Sequence, residues 1–248
     1  MMQARVRDTM RAFALRDAYN ASFIRVAAIS AFAGMAAAWL ASTMHANHGM
    51  EAIIVRFDRT LAIMLALHAP FRAIERVNAD ASSDWMLQLT AGGAAKSLYV
   101  VVVPLCIAAG AFLLFCAGAV TFLGARTAFT HDAGVIRAGV RAVPLTLLML
   151  VSSSAFGTAI ACVIRGRSAS RIAALMIAAP WVALAFNAAS AASDTGTPPT
   201  LLVDVLGYLP PRLYLAFTLQ HISQVLLYTG LMFVIALFAA GSRIGRRA

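Results

Sequence analysis

Residues 98–123, LYVVVVPLCIAAGAFLLFCAGAVTFL, contain no charged side chain. A helix needs about 20 such residues to cross a hydrocarbon core of about 30 Å. Working outward, comparable runs occupy Val26–Met44, Ile53–Phe71, Val143–Ile164, Ile172–Ala192 and Ile222–Ala240. The second of these carries Arg56, Asp58 and Arg59 in its first third, where long stems reach the interface or the helix faces protein or water. Across the 248 residues, 61% are hydrophobic and 12% charged, and the mean hydropathy is +0.81. These values lie outside the range of soluble domains, and no stretch between the runs is long enough for a water-soluble core. The expected fold is all-α: a polytopic membrane protein with six transmembrane helices and short interfacial and re-entrant helices, in a single domain over 1–248.

The net charge of +10 does not form one basic face or groove, which argues against nucleic acid as a partner. The basic residues fall in short clusters between apolar runs. With the N-terminus in the cytoplasm, fourteen of the 20 Lys and Arg residues lie on that side, among them Arg72, Arg76, Lys96, Arg165, Arg167 and Arg171. Six, including Arg126, Arg137 and Arg212, lie on the other. This distribution predicts both termini inside, which requires an even number of spans. The first apolar run follows about 25 mixed polar residues and is too long for the core of a cleavable signal peptide.

Residues 1–25 place Met10, Phe13, Ala14 and Asp17 among Arg11 and Arg16 at helical spacing. They read either as a cytoplasmic interfacial helix or as a charged anchor. The expected cytoplasmic loop 72–97 carries Glu75, Asp80, Asp84 and Trp85, and Ser82-Ser83 offers an N-cap to a short helix. The expected external segment 194–221 has Pro198-Pro199 and Pro210-Pro211 around an apolar run from Leu201 to Leu209. Short interfacial or re-entrant helices suit that composition better than bulk water.

No catalytic constellation emerges. Cys106, Cys116 and Cys162 lack CxxC spacing, and the first two, on one helix, are separated by about 15 Å of rise, too far for a disulfide. They read as packing residues. His45 and His48 lie three apart, as two imidazoles for a metal or haem would, but they lack a third ligand and also fit ordinary interfacial histidines. Gly92-Gly93-Ala94-Ala95-Lys96-Ser97 ends like a phosphate-binding loop but has Ala95 where glycine is required. The expectation is a chain that is no enzyme and binds no metal or cofactor; nucleotide energy would have to enter through another polypeptide.

Two segments carry a family resemblance. Ser82-Ser83-Asp84-Trp85-Met86-Leu87-Gln88-Leu89, within Glu75–Lys96, resembles the small-small-acidic-apolar coupling helix of permease subunits of ATP-binding-cassette transporters, in their type-2 export branch. Ile164-Arg165-Gly166-Arg167-Ser168-Ala169-Ser170-Arg171 is similar to the short basic turn joining spans four and five of that family. The order of parts matches over the whole chain, and the Arg-Gly turn and compact length also resemble the haem-exporter permease of cytochrome c maturation. The chain departs from the family where it often has Gly before the coupling helix and Pro after it: Ala81 or Ser82 and Thr90-Ala91 stand there.

The resemblance implies a multi-pass subunit of a bacterial inner membrane that forms an export pathway with a second permease subunit, in a homo- or heterodimer. Cytoplasmic ATPase subunits, binding ATP and magnesium, would drive it. Asp80, Asp84, Trp85, Met86 and Leu87 would form the ATPase-coupling contact, a Trp anchor beside a charge; the alternative for Trp85 is an anchor at the lipid headgroups. Ser152, Ser153, Ser154 and Thr158 of span four and Asn187 of span five are pathway candidates, or hydroxyls bonded to their own helix in close packing. Competing functions are a membrane anchor of an electron-transfer or haem-handling complex and a secondary transporter. The first predicts paired histidines on facing spans, and the second predicts internal repeats with midplane ions; the sequence offers neither.

The charge distribution makes the topology testable. In intact cells a thiol reagent should label Thr130→Cys from outside and Ser168→Cys only after permeabilisation, and the opposite pattern would invert the assignment.

Overall fold

The computed structural model describes residues 50–81, 96–130, 134–175 and 222–243, together with Ile29. These residues are helical apart from the turn 164–166, and none of them is in a strand. The helices are α1 (Met50–Ala81), α2 (Lys96–Thr130), α3 (Gly134–Val163), α4 (167–175) and α5 (Ile222–Arg243). Ser97–Thr121 of α2 and Thr146–Val163 of α3 are long and apolar enough to cross a membrane, and Val225–Ala240 of α5 is a shorter apolar helix. The first expected span, Val26–Met44, apart from Ile29, lies outside the described residues, as do the interfacial helix of 1–25, segment 194–221 and all of Ile172–Ala192 beyond Leu175.

The helices overrun the apolar runs. α1 continues ten residues past Phe71, and α2 continues to Thr130, so its 35 residues rise about 50 Å. α3 begins at Gly134, nine residues before the expected start, and α4 begins at 167 instead of Ile172. Hydropathy marks only the part of a helix that can sit in hydrocarbon. Polar residues extend the backbone hydrogen bonding wherever they can pair, as Arg72 and Glu75 (3.7 Å) and Arg76 and Asp80 (2.9 Å) do at i,i+3 and i,i+4 spacing. The expected loop 72–97 is therefore helix over its first ten residues.

The chain divides into two compact units, with boundaries inside α1, α2 and α3. In the first (Met1–Ala66 and Cys106–Leu150), α2 buries Ile107, Ala108, Leu114, Phe115 and Ala119 on one stripe, and Phe112 stacks on Phe115 at 6.2 Å. Ala62, Leu65, Ala66, Thr146, Met149 and Leu150 are also buried there.

In the second unit (Leu67–Leu105 and Val151–Ala248), α3 is buried on every side from Ser152 to Cys162. Such a helix normally carries large apolar residues all round, but this one has Ser152, Ser153, Ser154, Gly157 and Thr158. Small residues permit close helix approach, and here the approach is extreme: a Cβ on Gly157 would stand 2.4 Å from the Pro70 carbonyl oxygen and 2.5 Å from its Cα. Buried Ala69 and Ala73 flank Pro70 on α1. Pro70 lacks the N–H that would bond the Ala66 carbonyl, so backbone of α1 and backbone of α3 meet where α1 is already interrupted.

Helix α5 reverses the polarity expected in water. Thr229, Ala236 and Ala240 are buried, whereas Leu227, Leu231, Val234 and Phe238 share an exposed face, with Leu227 75% and Phe238 83% exposed. Val225 and Tyr228 are buried as well, but the large apolar side chains on the exposed face suit hydrocarbon as the surrounding solvent.

Gly157→Ala should lower stability by about 1–3 kcal/mol, because neither backbone can yield as a side chain would. Gly230→Ala, where a Cβ meets nothing within 4 Å, should be neutral or stabilising by up to about 1 kcal/mol. Thermal unfolding in detergent separates the two; equal effects would contradict the close contact.

Candidate coupling and pathway sites

The sequence Arg72-Ala-Ile-Glu75-Arg76-Val-Asn-Ala-Asp80 distributes its charges over two faces of the α1 extension. On one, Asp80 is 2% exposed, and its Oδ2 accepts hydrogen bonds from Arg76 Nε (2.9 Å) and from Tyr99 Oη of α2 (2.9 Å). Asn78 Nδ2 donates to the Ile74 carbonyl at 2.8 Å. Burying a carboxylate costs free energy unless it is paired and hydrogen-bonded, and both conditions are met. Asp80 thus ties the end of α1 to the beginning of α2. Of the five residues expected to couple to an ATPase, it is inside the helix packing and not at a surface, while Asp84, Trp85, Met86 and Leu87 lie outside the described residues.

On the other face, Glu75 meets the turn between α3 and α4. Gly166 at φ 98° adopts the left-handed conformation that closes helix C-termini and favours glycine. Ile164 N still donates to the Ile160 carbonyl (2.8 Å), and Ser170 N to the Gly166 carbonyl (3.0 Å). The buried Ser170 hydroxyl lies 2.9 Å from the Ile164 carbonyl oxygen and 2.8 Å from that of Gly166, sharing its proton between them and fixing the turn. One turn apart on α4, Arg167 and Arg171 both reach Glu75 Oε1, the first at 3.3 Å and the second in a direct hydrogen bond, while Arg72 approaches Oε2 at 3.7 Å. The two segments that carry the family resemblance, Glu75–Lys96 and Ile164–Arg171, are therefore joined by ion pairs.

All four described pathway candidates are buried in α3. Thr158 donates to the Ser154 carbonyl at 2.9 Å, the local bond that hydroxyls in apolar helices commonly make. Ser152 Oγ is buried and has no hydrogen-bond partner among the described residues. Asn187 lies outside the described residues, as do His45 and His48. His68 is exposed on α1, Cys106 and Cys116 are partly buried in α2, and Cys162 is buried in α3. Among the described residues, no group of three His, Cys, Asp or Glu side chains could hold a metal ion.

Sequence reasoning did not single out Tyr99, Arg171 or Glu75 for these roles. Tyr99 offered half a signal: a phenol one turn inside an apolar helix needs a hydrogen-bond partner, but nothing local singles out Asp80 over the nearer Asp84. No family model matches the chain, and no curated protein matches it.

Tyr99→Phe should cost about 1–2 kcal/mol by removing one hydrogen bond to a buried carboxylate. Asp80→Ala should cost about 3–5 kcal/mol by removing the buried carboxylate that pairs with Arg76 and accepts from Tyr99. Unfolding of the purified protein measures both; an Asp80→Ala loss no larger than that of Tyr99→Phe would place Asp80 outside the packing.

Proposed function

We propose that this chain is a transmembrane permease subunit of an ATP-binding-cassette transporter, with six spans and both termini in the cytoplasm, working as a dimer with separate ATPase subunits. The observation that carries the reading is the clasp of Glu75 by Arg167 and Arg171. It links the helix leading into 82–95 to the basic turn between spans four and five, so a displacement of either is felt by the other. In a transporter of this kind, ATP-driven closure of the ATPase pair is converted into changed span packing. Trp85 and Asp84 would meet the ATPase, and Asp80 would hold α1 against α2 so that the movement reaches the spans as a rigid-body displacement.

Further support comes from the outward apolar face of α5 and the charge-free length of α2, which suit a lipid environment. The serine-rich stretch of α3, at the middle of the second unit, supplies the polar groups from which a pathway would open once the packing changes. Export across a bacterial inner membrane follows from the family resemblance.

Purified alone, the chain should hydrolyse no ATP above background, whereas its complex with a cytoplasmic ATPase should. Trp85→Ala should weaken that complex by about 2 kcal/mol. Asp84→Arg should weaken it more at low salt than at high salt, because a charge reversal is least screened there. Retention of the ATPase on the detergent-solubilised complex at two salt concentrations is the readout. Hydrolysis by the isolated chain, or unchanged retention in both variants, would end the permease reading.

A further inference from the structure

The arginines at the α3–α4 turn outnumber their acid. Three guanidinium groups, from Arg72, Arg167 and Arg171, share the single carboxylate of Glu75. Each guanidinium carries five N–H donors, so one carboxylate engages only part of their hydrogen-bonding capacity and leaves an excess of two positive charges. Their side chains remain accessible, with Arg167 60% exposed. Directly along α4 from this cluster, Ile172 and Leu175 are each more than half exposed. Residues 171 and 175 stand at i and i+4 and residues 172 and 175 at i and i+3, so Leu175 neighbours both Arg171 and Ile172 on the helix surface. The face is charged at the turn and apolar farther along the helix.

We propose that this face seats an anionic glycerophospholipid, its phosphate on Arg167 and Arg171 and an acyl chain along Ile172 and Leu175. The proposal rests on the membrane reading of the fold and is independent of any ATPase. Charge complementarity selects an anion, since guanidinium groups pair bidentately with phosphate oxygens. The adjoining apolar stripe selects a lipid over a free anion, because an inorganic phosphate would use only the charged end. Basic clusters next to membrane helices on the cytoplasmic side, the side on which the charge distribution puts this turn, meet a leaflet rich in such lipids. The carboxylate of Glu75 holds the three arginines together in the absence of the lipid, and at 29% exposure it is less accessible than any of them, which leaves guanidinium edges to the phosphate.

The test uses the full-length chain in neutral detergent, with bound lipid counted by native mass spectrometry and the unfolding midpoint recorded alongside. Phosphatidylglycerol should bind and raise the midpoint, whereas phosphatidylcholine with the same acyl chains and inorganic phosphate should not. Arg167→Gln should lower phosphatidylglycerol affinity about fivefold, and Ser168→Arg, which adds a guanidinium at an exposed position on the same face, should raise it by about the same factor. Arg167→Lys should restore most of the loss. An equal response to phosphatidylcholine, a response to inorganic phosphate matching that to phosphatidylglycerol, or unchanged affinity in both Arg167→Gln and Ser168→Arg would overturn the proposal. Displacement of phosphatidylglycerol by an acidic peptide at equal concentration would reassign the face to a protein partner and overturn it as well.

Discussion

Everything placed with detail in the second unit depends on the approach of Gly157 to Pro70, where a helix interrupted by proline meets a helix that has no side chain at the point of contact. At that separation only backbone fits between the axes, so the two helices are fixed in register as well as in distance. Ala69 and Ala73 keep the adjoining surface of α1 equally thin. One and a half turns beyond Pro70 stands Glu75, and beyond Gly157 α3 ends in the Gly166 turn that presents Arg167 and Arg171. A bulkier contact at 157 would push α3, and with it the turn that carries Arg167 and Arg171, away from Glu75 on α1.

The distribution of polarity follows from the same packing. Hydroxyl-bearing and small residues occupy the buried C-terminal half of α3, bulky apolar residues occupy the outside of α5, and charges collect at the end of α1 and at the α3–α4 turn. In water this arrangement would expose apolar surface and gain little from its centre. In hydrocarbon the outside is at no disadvantage, and association relies on close contact, while hydroxyls such as Thr158 and Thr229 satisfy themselves on the carbonyls of their own helices. Charges at the helix ends then have two tasks, fixing the ends to one another through Asp80 and Glu75 and meeting whatever lies outside the spans.

How much of this was legible in the sequence differs by the kind of interaction. The helical fold and the apolar helices around Leu98–Leu123 and Val143–Ile164 were legible because hydropathy sums over many residues and needs no partner. The turn expected over 164–171 from the family resemblance is present only at 164–166, where Gly166 takes the left-handed conformation, and the rest of that segment is helix. The ends of the helices were not, since Arg72, Glu75, Arg76 and Asp80 look like a loop until their mutual pairing is known. Pairings between distant residues were out of reach: nothing local marks Gly157 as the partner of Pro70, Tyr99 as the donor to Asp80, or Arg171, 96 residues away, as the partner of Glu75. Of the candidate coupling residues, Asp80 was expected at an ATPase contact, and its burial against α2 became apparent only with the tertiary packing.

The central claim is that Glu75 joins the helix leading into 82–95 to the basic turn between α3 and α4, and a charge-swap cycle addresses it most directly. Glu75→Arg and Arg171→Glu are made singly and together, and the unfolding free energy of each is measured in the same detergent. The clasp predicts that each single change destabilises the protein and that the double change recovers a coupling of about 1 kcal/mol, a value moderated by the partial exposure of both side chains. Losses that simply add in the double variant would show that the two residues do not meet, and the link between the two segments would be lost with them.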